Sequence, residues 1–91
     1  MEHKTMMDVV RLNKSTGHHF FDADTMRFFN SRIETDLIQG RFFVTSEQGP
    51  HGSRAYTVRS VGSDGDIGSV GAGFMGYATL GYAVEWVEGD N

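Results

Sequence analysis

The glycines of Gly71-Ala72-Gly73-Phe74-Met75-Gly76 spell G-x-G-x-x-G after the strand-like Ile67-Gly68-Ser69-Val70. In a dinucleotide site such glycines allow a tight turn and let a pyrophosphate approach a helix N-terminus. That use needs a βαβ unit of about 30 residues and an acidic residue about 20 residues on. Only 15 residues follow Gly76. Asp90 is near the right distance but has no second strand to carry it. Tight turns in a glycine-rich hairpin explain the match better, and no cofactor is expected.

Four histidines, His3, His18, His19 and His51, raise the question of a metal. His18 and His19 are adjacent and point to opposite faces of an extended chain. His3 falls in a terminus expected to fray and His51 in a loop. No H-x-H or H-x-x-x-H spacing occurs, so no metal site is expected. Asp22 and Asp24 could form an acid/base pair, but a helix start already gives them a capping role. No nucleophile elbow is present. No catalytic residue is assigned, and the chain reads as non-enzymatic. Asn13-Lys14-Ser15 fits a glycosylation sequon, which nothing else in the sequence supports.

Arg41, Arg54 and Arg59 interleave with Phe42, Phe43 and Tyr56, a pattern that could stack bases and contact phosphates. The competing reading makes these aromatics the core of a small domain. A net charge of -4 and a pI near 5.4 oppose general affinity for nucleic acid.

The elements that must position these residues fit one domain, residues 1–91. A chain of this size has a stability on the order of 5–10 kcal/mol. No cysteine is present to supply a disulfide. No apolar run approaches the ~18 residues of a membrane span, so a cytoplasmic protein is expected. All eight Lys and Arg lie in residues 1–60, which carry +1, while residues 61–91 carry -5 with none.

Asp8-Val9-Val10-Arg11-Leu12 reads as a first strand. Asp22 then caps a helix over about residues 23–34, with Met26, Phe29 and Ile33 on its buried stripe. Gln39-Gly40 ends the connection. Strands follow over 41–46 and 54–61. Asp64-Gly65 is the signal for a type I′ hairpin turn. It pairs Arg59 with Val70 and Val61 with Gly68, and so adds a strand over about 66–72. Leu80, Ala83, Val84 and Val87 have helical spacing, capped by Thr79, and predict a helix over 80–88. A final strand through Ala83–Val87 is the alternative, since Gly81 and Val84 disfavour a helix interior. The expected fold is α+β: a three-stranded antiparallel meander plus an N-terminal strand, with one or two helices packed on one face.

At His19-Phe20-Phe21-Asp22-Ala23-Asp24-Thr25-Met26-Arg27-Phe28-Phe29-Asn30-Ser31-Arg32 the chain resembles a group of small uncharacterised phage and prophage proteins. The resemblance continues at Arg41–Glu47, Arg54–Arg59 and Tyr77-Ala78-Thr79, and covers about residues 18–80. The chain departs from the pattern after Val70, in its glycine-rich segment. The resemblance implies a phage origin and, by analogy, binding to a host protein. Inhibition of a bacterial defence system, as by an anti-CRISPR, is one such role. Arg27, Arg32, Arg54 and Arg59 are the expected partner contacts. A small nucleic-acid-binding accessory protein is the alternative.

Overall fold

The computed structural model describes residues 3–49 and 52–89. The elements run α1 (Met6–Ser15), α2 (Ala23–Phe28), β1 (Arg32–Ile33), β2 (Phe42–Gln48), β3 (Arg54–Val61), β4 (Ile67–Val70) and α3 (Leu80–Gly89). The strands form one antiparallel sheet in the order β1-β2-β3-β4. The α+β class and the meander are those expected from sequence. The positions of several elements are not.

Residues 8–12 are helix, not strand. Thr5 caps α1, its side-chain oxygen accepting the Asp8 N–H at 3.1 Å. Asp8 in the first turn and Lys14 in the last suit the two ends of the helix dipole. Only Val9 and Asn13, one turn apart, are fully buried. The β-branched pair Val9-Val10 suggests a strand, but the cap and the i, i+4 burial decide for helix. The fourth strand is instead the two-residue β1, paired to the far edge of β2 through Arg32 and Ser46.

α2 ends at Phe28, well short of residue 34. Phe29 is the C-cap and Asn30 takes a positive φ of 51°. This break moves Phe29 and Ile33 off the expected stripe. Both are exposed.

Alternation along the strands sorts the core into two layers. Val44 and Val58 pair across β2 and β3 and pack with Ala83 and Val87 of α3. Phe43 and Val61 face the other way and meet Val9 of α1, with Phe20, Phe21 and Ile67 around them. The helices therefore cover both faces of the sheet, not one. Two apolar faces each need a cover, and one short helix cannot bury both.

The hairpin joining β3 and β4 is shifted by one residue from the expected pairing. Arg59 opposes Ser69, and Val61 opposes Ile67. The loop closes with Gly62 N–H bonded to Asp66 O at 2.8 Å, and within it only Gly65 has positive φ, at 83°. The type I′ geometry, two consecutive positive φ values, occurs at Gln39 (55°) and Gly40 (68°) instead. The shift has a packing consequence, because one residue of slip turns a strand over. It places Val70 opposite Val58 in the α3 layer and Ile67 in the α1 layer. α3 is a helix over Leu80–Gly89, and the Thr79 hydroxyl accepts the Tyr82 N–H at 3.1 Å.

Candidate functional site

On the α1 face, β2 and β3 bring Thr45, Glu47, Thr57 and Arg59 together. Glu47 is fully buried, and both its oxygens are engaged. One accepts the Thr57 hydroxyl at 2.7 Å and the other pairs with Arg59 at 3.1 Å. Arg59 also donates through Nε to Thr45 at 3.0 Å. The Thr57 hydroxyl in turn accepts the backbone N–H of Met75 at 2.8 Å. A buried charge needs a partner and filled lone pairs, and this network supplies both.

The Met75 bond ties the glycine-rich loop to this face. The loop makes two tight turns, Gly73 N–H to Val70 O and Gly76 N–H to Gly73 O. A side chain on Gly76 would collide with the Ala72 backbone, and one on Gly71 with the Tyr77 hydroxyl and Trp86. Gly71 and Gly76 thus serve close packing and Gly73 supplies a positive φ of 85°, and Tyr77 then resumes the sheet by bridging to Tyr56. The loop holds Phe74 over the network, 5.6 Å from the Arg59 guanidinium. Phe20 takes another position on that cation at 5.0 Å.

Phe74 then meets Phe29 with centroids 5.1 Å apart, and Phe29 meets Phe28 at 4.7 Å, both edge to face. The three rings form a continuous exposed patch: Phe28 is 79% exposed, Phe29 41% and Phe74 45%. Burying a phenylalanine stabilises a fold by roughly 1.5–3 kcal/mol, most of which Phe28 forgoes. Aromatic side chains are enriched in protein interfaces relative to the rest of the surface. The patch is anchored from below by Arg59 and from the side by the Gln48 N–H, which bonds Phe29 O at 2.8 Å.

The arginines expected to contact a partner do not assemble. Arg59 belongs to the buried network. Arg54 lies on the opposite sheet face, bonding the Ser46 side chain and the Ser46 and Asn30 carbonyls. Arg27 is exposed beside Phe28 and pairs with Asp24 at 3.0 Å. Arg32 is exposed on edge strand β1. For nucleic acid, Arg41 lies over the Phe42 ring at 5.3 Å, while Phe43 is fully buried. Arg54 and Arg59 are five residues apart on β3, so they cannot share a face.

His3 is not frayed. Its N–H bonds Gly40 O at 2.8 Å and its ring bonds Gly62 O at 3.0 Å. His18 meets Asp64 and Asp66 through different ring nitrogens, at 3.2 and 3.8 Å. His19 contacts the Asp22 carboxylate at 2.9 Å, which leaves Asp22 without a side-chain cap bond. His51 and Asp90 lie outside the described residues. Among the described residues no cluster of three metal-ligating side chains occurs. Asn13 of the sequon is buried, donating to Gly65 O at 2.8 Å. The Asp64 carboxyl is held below its ordinary value of 3.8, chiefly by the Asp66 N–H and then by His18.

No helix among the described residues is long and apolar enough to cross a membrane. No curated protein and no solved structure matches the chain. The sequence matches a family profile from residue 5 to residue 88, a span that takes in α1, the glycine-rich loop and α3. With nearly its whole length covered, the chain belongs to the family of unknown function DUF7447.

Proposed function

We propose that this protein is a small, non-enzymatic binding protein that modulates another protein through the Phe28-Phe29-Phe74 surface. The observation that carries the reading is the exposure of three touching phenylalanines, supported by a buried ion pair and a glycine-built loop. Arg27 adjoins Phe28 and supplies a polar edge to this surface, whereas Arg32 pairs with Ser46 and so lies on the other face of the sheet. The resemblance to phage proteins makes a host protein the partner to seek, and a bacterial defence complex, such as a CRISPR effector, the first class to test.

The test is capture from bacterial lysate by the purified protein and by its Phe28→Ser variant. Phe28 is exposed, so the variant should keep its stability within about 0.5 kcal/mol. Specific capture of a protein by the parent and its loss in the variant support the reading. Equal capture by both contradicts it. Steeply salt-dependent retention of DNA or RNA in place of a protein would favour the nucleic-acid reading.

A further inference from the structure

Beside its inner stripe, α3 presents a second one. Tyr82, Glu85, Trp86 and Gly89 recur at i, i+3, i+4 and i+7. With Tyr77 they line an open groove of about 680 Å³. Three of these side chains are aromatic, one is a carboxylate and none is basic. Two of the rings are held in place. The Tyr77 hydroxyl accepts the Ala72 N–H at 3.1 Å. Trp86 stands edge-on to Phe42, with centroids 6.3 Å apart, over the bare Cα of Gly71. Tyr82 is 61% exposed. Glu85 has no ion-pair partner among the described residues.

Aromatic faces carry negative charge density and attract cations, and a nearby carboxylate adds to the field. No Lys or Arg lines the groove, and Arg41 lies outside that lining, over the Phe42 ring that Trp86 meets edge-on. We propose that the groove binds the guanidinium of an arginine side chain on a basic segment of a partner protein. A guanidinium fits better than an ammonium. It is planar and weakly hydrated, stacks on rings, and can pair with a carboxylate through two parallel bonds. The chain itself sets Arg41 over Phe42 and Arg59 over Phe20 and Phe74. The inference is independent of the phenylalanine surface.

Trp86 is the single tryptophan, so its fluorescence reports on the groove directly. The experiment titrates the protein with a short glycine–arginine peptide, and with matched peptides carrying lysine or uncharged citrulline. The arginine peptide should give a saturable change, the lysine peptide a weaker one and the citrulline peptide none. Tyr82→Ala should weaken arginine-peptide binding about 5-fold and Glu85→Gln about 3-fold. Both positions are exposed, and circular dichroism verifies their folding. Phe28→Ser should leave the response intact, which separates this site from the phenylalanine surface. The assignment is overturned by no response up to about 10 mM peptide, by equal binding of the citrulline or lysine peptide, by unchanged affinity in both groove variants, or by loss of the response in Phe28→Ser.

Discussion

Arg59, expected from sequence to contact a partner, instead serves the fold by pairing with Glu47. Glu47 is fully buried and Arg59 nearly so, and their partners Thr45 and Thr57 complete the bonding. Removing one member leaves the other charge unpaired in a largely buried site. Glu47→Ala should therefore cost about 3–5 kcal/mol, a fall in melting temperature of more than about 10 °C for a domain of this size. Replacing both by methionine should cost less than the single change. A double-mutant cycle by thermal melting checks this, and additive losses would contradict it. Asp64 makes a second prediction at this scale. Its carboxyl is held below 3.8 in the folded protein, so its contribution is present above that value and is lost as pH falls through the lower folded one. Asp64→Asn should flatten the loss of stability below about pH 4. An unchanged acid slope in denaturant melts would contradict it.

Among the elements, β2 and β3 are legible in sequence from their β-forming runs and strong flanking punctuation. For α3 the helical spacing of Leu80, Ala83, Val84 and Val87 competes with a strand that Gly81 and Val84 leave open, and the structure decides for the helix. At the N-terminus Val9-Val10 favours a strand locally, while the signal for the helix is Thr5 followed by Asp8, a capping pair. The sequence suggests a longer α2 because Ile33 keeps helical spacing with Met26 and Phe29 beyond the real end at Phe28. The observed hairpin register differs by one residue from the expected one because Asp-Gly suggests a two-residue turn, whereas contact with α1 selects the longer one. Asn13 bonds Gly65 O, and a Cβ on Gly65 would collide with the Asn13 backbone. Gly65 also needs positive φ. Gly65→Ala should thus destabilise on the order of 2–4 kcal/mol. Gly73→Ala, which also strains a positive φ but meets no neighbour, should cost less. Equal losses in the two melts would contradict the docking of α1 on this turn.

The whole molecule is flat, 35 × 32 × 17 Å, one sheet with a helix layer on each side. This geometry divides the acidic third of the chain between two places. Asp64 and Asp66 sit at the hairpin tip against His18, while Glu85 and Glu88 ride on α3. It also separates the arginines that sequence grouped, since alternation along β3 sends Arg54 and Arg59 to opposite faces. That separation could have been read from their odd spacing. The phenylalanine surface could not, because it joins residues 28, 29 and 74 through a loop whose path depends on the Met75–Thr57 bond. In the proposed complex a partner protein covers these rings. Amide hydrogen exchange, compared between the free protein and its captured complex, tests it most directly. Slowed exchange over about residues 26–31 and 72–76 is the predicted result. Protection elsewhere, with those two segments exchanging as in the free protein, would contradict it.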